Sequence, residues 1–253
     1  VGTSFKQYLH EKQDYAKIKT HLEYHDTLNP KLWEQNKLNE RVAEALERIA
    51  QEFIEFLSIP SSSVSDIIIT GSNCSFNYSK LSDIDLHLIV NEKKACPDCP
   101  GSFIEDCFKA KKNLWNKDHD IKIHGYPVEL YAQPEGDKLV AAGIYSVRKK
   151  KWIKQPSFGN PVPPTYDDTS VKSKAGEIMD QITSLIDDKV TDRDSVQILK
   201  DRIKRLRQSG LEKNSGEFSV ENLAWKTIRN NGFLDKLDNY VKNLDDASLS
   251  VEN

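Results

Sequence analysis

Long apolar runs are what this 253-residue sequence most plainly lacks. None approaches the roughly 20 residues that a membrane-spanning helix needs. No secretory pattern is read in its opening residues, so no membrane partner is expected and the expected compartment is the cytoplasm. Cysteine is scarce: four residues, at 74, 96, 99 and 107. They are too few and too clustered for a disulfide framework, which predicts free thiols in a reducing interior. An excess of one charge is missing as well. Thirty-six Lys and Arg against 39 Asp and Glu leave a formal charge of -3, which excludes a globally basic nucleic-acid binder. Any basic surface must be local. No internal repeat is present. The length suffices for a sizeable core in one or two domains.

What is present is a change of pattern along the chain. The first thirty residues are polar and aromatic with a weak helical signal, and Asn29-Pro30 reads as a helix start. Leu38, Val42, Leu46, Ile49, Phe53 and Phe56 then recur at steps of three and four, predicting a long amphipathic helix closed by Pro60 and three serines. Residues 66–70 (DIIIT) read as a buried strand leaving through Gly71-Ser72. Residues 82–90 (SDIDLHLIV) alternate, with Ile84, Leu86, Leu88 and Val90 on one face and Asp83, Asp85 and His87 on the other. A helix is expected over 103–115. Short strands at 120–123 and 128–131 read as a hairpin turning at His124-Gly125. After Gln133 the strand signal fades. An aromatic-basic stretch and a connector with Pro156, Pro161, Pro163 and Pro164 mark a boundary. The remainder reads as helices, the third ending by Gly232, with a frayed last dozen residues. The expected domains are a helical layer over 1–60, a core over 61–155 and a helical domain over 166–253.

The chemistry concentrates in residues 71–90, GSNCSFNYSKLSDIDLHLIV. Two carboxylates two residues apart on a strand project from one face, and such like charges repel unless a cation lies between them. Hard carboxylate oxygens suit Mg²⁺ or Mn²⁺. Gly71 lets the backbone approach a ligand, and the following amides with the Ser72 hydroxyl can hold phosphate oxygens. Phosphate donors beside paired carboxylates are what nucleotidyl transfer needs.

This stretch resembles the polymerase-beta-like nucleotidyltransferase superfamily: a strand ending in Gly-Ser, a spacer of about ten residues, then Asp-hydrophobic-Asp on the next strand. The matching residues are Gly71, Ser72, Asp83, Ile84 and Asp85, with Ser82 before the first aspartate. The span from about 24 to 155 also looks like small nucleotidyltransferase-like proteins of tailed bacteriophages, which would place the chain in host cytoplasm. The resemblance implies an α/β fold, a small mixed-sheet nucleotidyltransferase core with N-terminal helices and a C-terminal helical domain. It implies a metal-dependent enzyme with an NTP as substrate and Mg²⁺ or Mn²⁺ at Asp83, Asp85 and a third carboxylate. Glu129 in PVELY occupies a suitable place for the third, where the family more commonly has aspartate; Asp120 is the reserve. The acceptor stays open between RNA such as tRNA, a protein and a small molecule. A silent nucleotide-binding regulator or decoy, and a signalling-nucleotide synthase, are the rival readings.

Three weaker signals complete the reading. His87 lines the carboxylate face and reads as a cleft residue before a phosphate ligand. Cys96-Pro-Asp-Cys99, with Cys107, His119 and His124 downstream, can hold zinc by spacing, while a plain thiol-bearing loop is the default. Arg148, Lys149, Lys150 and Lys151, beside Tyr145 and Trp152, read equally as a solvated face or as a nucleotide- or RNA-binding patch with an aromatic to stack on a base.

Overall fold

The computed structural model describes residues 15–157, 166–213 and 215–250. Residues 158–165 of the proline connector, and 1–14 of the thirty opening residues expected to carry a weak helical signal, lie outside that range. The chain forms two compact units, residues 23–163 and residues 164–253 together with 1–22. The segment expected as one N-terminal layer is thus divided between them.

The 23–163 unit is a mixed α/β structure. A short hairpin, β1 (Trp33–Glu34) and β2 (Lys37–Leu38), precedes helix α1 (Glu40–Leu57). Asn29-Pro30 does not start that helix. Asn29 Oδ1 accepts from the Lys31 amide in a turn, and the helix is capped ten residues later by Asn39, whose side chain accepts from the Arg41 and Val42 amides. Its buried face, Val42, Leu46, Ala50, Phe53, Ile54 and Leu57, follows the expected periodicity. Then come β3 (Val64–Thr70), β4 (Ile84–Val90), the short α2 (Glu92–Ala95) and α3 (Gly101–Asp118). A hairpin of β5 (Lys122–Ile123) and β6 (Tyr126–Pro134) follows, turning through His124 and Gly125, both at positive φ as a tight two-residue turn requires. Two strands absent from the sequence reading close the unit, β7 (Ile144–Ser146) and β8 (Lys151–Lys154).

The six long-range strands form one sheet in the order β5-β6-β4-β3-β7-β8. β4 and β6 are parallel and the other pairs antiparallel. Ile84, Leu86, Leu88 and Val90 are buried in one core with Val128, Leu130 and the apolar face of α1. Beyond the β5 pairing, the edge of β6 is completed by a side chain. Asn116 of α3 donates to the Leu130 carbonyl at 3.1 Å and accepts from its amide at 3.0 Å, standing in for a strand.

The second unit is helical: α4 (Asp168–Asp187), α5 (Arg193–Glu212), α6 (Val220–Asn230) and α7 (Phe233–Leu249). Asp167, Asp192 and Ser219 cap the first three through side-chain oxygens. Ile178, Ile182, Val196, Leu199, Ile203, Ile228 and Leu237 form its core. Helix α7 runs through most of the segment expected to fray. No helix among the described residues is long and apolar enough to cross a membrane.

Candidate metal centre

The carboxylate pair sits where two local features meet. Alternation along β4 buries Ile84 and Leu86 and turns Asp85 to the opposite face, with Asp83 one residue before the strand. Register supplies the rest. Thr70 of β3 and Glu129 of β6 both pair with Asp85, so the three residues form one row across the sheet. One carboxylate oxygen from each of Asp83, Asp85 and Glu129 lies within 4.8 Å of the others, and all three side chains are half-buried. Asp120, the reserve candidate, lies outside this cluster. Its carboxylate is largely exposed and pairs with Lys122 at 2.7 Å.

Gly71 explains why glycine stands at the end of β3. Its φ is +80°, and a Cβ built there would collide with Oδ2 of Asp85. The backbone passes against the carboxylate with no room for a side chain. Ser72, Asn73 and Cys74 then form a single 3-10 turn. Asn73 is buried and central to the local network. Its Nδ2 donates to the Asp83 carbonyl at 2.7 Å, its Oδ1 accepts from Asn29 at 2.8 Å, and its carbonyl accepts from the Trp33 indole at 2.7 Å. Ser72 Oγ donates to Ser82 Oγ at 2.8 Å, and Ser82 also accepts from the Ser79 amide. The Ser72 hydroxyl expected to face phosphate therefore closes the loop between the two motif halves. Cys74 is fully buried, and burial followed by the Asp85 charge pushes its thiol well above the ordinary value.

Sequence reasoning missed Tyr131. Its hydroxyl donates to Glu129 Oε2 at 2.6 Å, and the ring stacks on His87 with centroids 4.6 Å apart. Burial, then the charges of Asp85 and Glu129, drive its phenol far above the ordinary range, so it remains a donor at any working pH. Strand parity could have found it, since Tyr131 shares a face with Glu129. Lys112 of α3, whose ammonium lies 4.4 Å from the Tyr131 ring centroid, carries no such signal, because helix placement is non-local.

His87, read as a cleft residue, lies inside the fold. It is buried, and its Nδ1 lies 2.7 Å from Gln133 Oε1. Burial is the main force lowering its pKa from 6.5 to about 4, the nearby Lys112 charge adding to it and the Gln133 bond opposing. The unfolded chain takes up a proton as pH falls through 6.5, whereas the folded one does so only near 4. Stability at neutral pH is therefore intact and falls between those values, by about 1.4 kcal/mol per pH unit. Urea midpoints in EDTA at pH 7 and pH 5 should show this loss, and His87→Gln should flatten that part of the profile. Equal slopes in both proteins would contradict the assignment.

The lysine run does not join the carboxylates. β7 is antiparallel to β3, so the turn after Ser146 returns to the beginning of β3, away from Gly71. Lys149 pairs with the buried Asp66 at 2.7 Å, roughly 13 Å along β3 from Thr70. Lys150 pairs with Glu40 in the first turn of α1. Lys151 lies on β8, three strands from β4. Tyr145 is buried against Trp33, and the partly buried Trp152 stacks on Trp33 at 4.7 Å. Lys149→Ala should cost about 1 kcal/mol, because Asp66 loses its cation while Ser146 Oγ and the Ile67 amide still donate to it. Replacing the exposed Lys150 and Lys151 should leave stability nearly unchanged. Nucleotide affinity by calorimetry should stay at the wild-type value in all three variants, and a large loss would place the triphosphate at this turn.

The CxxC loop also departs from expectation. Cys96 and Cys99 form a disulfide, with Cα atoms 5.4 Å apart, where two free thiols were the default. Cys74 and Cys107 are free. Among the described residues, Asp83, Asp85 and Glu129 are the one group of three or more His, Cys, Asp or Glu side chains close enough to share an ion. The zinc reading of the loop has no such group behind it.

No protein-family model matches the chain. No curated protein matches it either. Among solved structures it is similar to the CdnE cyclic dinucleotide synthase of Elizabethkingia meningoseptica, determined with GTP and Apcpp. Identity is 18%, the alignment covers 81% of this chain and 86% of that one, and the TM-score is 0.24. An overlap that loose carries no weight for fold or chemistry, and the functional reading rests on the geometry of the chain itself.

Proposed function

We propose that the chain is a metal-dependent nucleotidyltransferase, moving a nucleoside monophosphate from an NTP to an acceptor hydroxyl with release of pyrophosphate. The observation that carries this reading is the convergence of Asp83, Asp85 and Glu129 beside Gly71, whose missing side chain leaves the Asp85 carboxylate open to the backbone turn that follows. Three carboxylates this close repel by about 3 kcal/mol per pair at an effective dielectric near 20. A divalent cation removes that penalty, and an all-oxygen donor set fits Mg²⁺ or Mn²⁺. When bound, such an ion neutralises phosphate charge and lowers the pKa of the attacking hydroxyl.

The residues divide the work by position. Asp83 and Asp85 hold the cation, with Asp83 fixed through its carbonyl by Asn73. The turn opened by Gly71 offers the Ser72 and Asn73 amides towards the triphosphate, since the Cys74 and Ser75 amides already bond within the turn. Glu129 is the third ligand, on the acceptor side. Its extra methylene relative to aspartate is steadied by the Tyr131 hydroxyl, which fixes one carboxylate oxygen and leaves the other for the ion. The acceptor oxygen bonds to the α-phosphorus as the bond to pyrophosphate breaks, a displacement that rests on positioning and charge.

RNA, a protein and a small hydroxyl compound all stand as acceptor classes. The test is incubation with Mg²⁺ and each α-labelled NTP in turn, alone and with RNA, protein or small-molecule fractions. Label in a macromolecule or small hydroxyl compound identifies the acceptor. Label in a larger nucleotide formed without any addition makes a second NTP the acceptor, the signalling-synthase form of the reaction. Nucleotide binding without pyrophosphate release in every arm would overturn transfer in favour of a silent nucleotide-binding regulator.

A further inference from the structure

Helix α3 carries two apolar faces, and the core takes up one of them. Ile104, Phe108 and Trp115 enter the core with the apolar face of α1. Phe103, Cys107, Ala110 and Leu114 recur at steps of four, three and four, which sets them in one stripe along a neighbouring face. That stripe lies open. Phe103 is 60 % exposed and Leu114 48 %, Ala110 is exposed, and Cys107 is half-buried with a free thiol. Lys112 and Asn116, which reach Tyr131 and the Leu130 backbone, lie on the opposite side of the helix. The stripe is therefore separate from the carboxylate centre. Its spacing is that of a seam by which one helix packs along another.

The charges beside the stripe indicate what packs there. On one edge Lys111 turns back to α1, donating to the Phe56 and Leu57 carbonyls at 2.9 and 3.0 Å. The other edge is bordered by Asp106, Asn113 and Lys117, all exposed. Among the described residues none of these three side chains has an ion-pair or hydrogen-bond partner. The acid stands towards the N-terminal end of the stripe, the base at its C-terminal end and the amide between. A second α3 laid antiparallel sets Phe103 of each copy against Leu114 of the other, and Cys107 against Ala110. The same arrangement brings each Asp106 beside Asn113 and Lys117 of the other copy, and opposed helix dipoles favour it. The face is complementary to itself, as a two-fold interface requires.

We propose that α3 pairs two copies of this chain, antiparallel, through Phe103, Cys107, Ala110 and Leu114. The stripe is about 17 Å long and buries less than the roughly 1,200 Å² of a standard interface, so the dimer is weak and forms at micromolar concentrations.

The experiment is sedimentation of the full chain from micromolar to submillimolar concentration, with a short bismaleimide crosslinker as the second measurement. The average mass should rise towards twice that of the monomer. The crosslinker should join two chains through Cys107, since Cys74 is buried and Cys96 and Cys99 are bonded to each other. Phe103→Asp and Leu114→Asp, both at exposed positions, should abolish association and crosslinking at an unchanged melting temperature. Asp106→Lys should weaken association about tenfold, because a cation then faces Lys117 of the other copy twice in each dimer. Asp106→Lys combined with Lys117→Asp should restore it, which neither an unrelated partner nor cover from within the same chain would do. A monomer at every concentration would overturn the proposal. Association untouched by Phe103→Asp, or a double exchange that fails to recover, would overturn it too.

Discussion

Asparagine at position 85 is expected to abolish divalent-ion binding and reduce nucleotidyl transfer about a thousandfold or more, while the melting temperature of the ion-free protein holds or rises. Asp85 is the middle of the row, flanked by Thr70 and Glu129 in register and within reach of Asp83. Removing its charge removes the proposed principal ligand and also two repulsions, so function and stability should move in opposite directions. A purely structural carboxylate would behave otherwise, losing stability when neutralised. Manganese titration by electron paramagnetic resonance, alongside calorimetric melting in EDTA, separates the two. Manganese affinity near wild type in the variant would rule out the ligand assignment.

The second large effect concerns a residue with no side chain. Gly71→Ala should cost about 1–3 kcal/mol, because φ of +80° is unfavourable for alanine. It should also lower transfer about a hundredfold, because the new Cβ drives the Asp85 carboxylate from its place. Backbone strain alone is isolated by Gly136→Ala. That glycine has φ +104° and open space where a Cβ would lie, so strain is present without a carboxylate to displace. Gly136→Ala should lose stability and keep activity. Equal activity losses in both variants would show that strain, and not the collision with Asp85, explains the result.

How far the site could be read from sequence depended on the range of the interactions involved. The alternation of Ile84, Leu86, Leu88 and Val90 is a period-two pattern within one strand, and all four are buried as it predicts, with His87 of the other face buried as well. The hairpin at His124-Gly125 was equally local. Asp85 facing Glu129 is different, because β4 and β6 are parallel and the intervening helix hides their register from any window along the chain. Only that register separates Glu129 from Asp120. The place of the lysine run was hidden for the same reason. Its composition indicates a polyanion site, but its position depends on β7 being antiparallel to β3. β7 and β8 are themselves short, three and four residues, and sit in a stretch whose charges obscure alternation. The β1–β2 hairpin, at two residues per strand, offers no period to detect. Asn73 and Asn116 are invisible in sequence because each acts by pairing with backbone or side chains far along the chain.

The network around Glu129 gives the centre its particular character. Tyr131 holds one Glu129 oxygen, His87 packs on Tyr131, and Gln133 fixes His87, so alternate residues of β6 brace the Glu129 carboxylate from its own face of the sheet. On the neighbouring edge, Asn116 holds the Leu130 backbone directly after Glu129. Bracing from side chain and backbone together suits the role of metal ligand proposed for Glu129.

The most direct test is pyrophosphate release from each of the four NTPs in the presence of Mg²⁺, measured for the wild type and for Asp83→Asn, with EDTA as control. The wild type should release pyrophosphate with at least one NTP and lose it in EDTA, and Asp83→Asn should be silent while keeping the wild-type melting temperature. Release that persists in EDTA, or at the wild-type rate in Asp83→Asn, would contradict a carboxylate-held metal centre for nucleotidyl transfer.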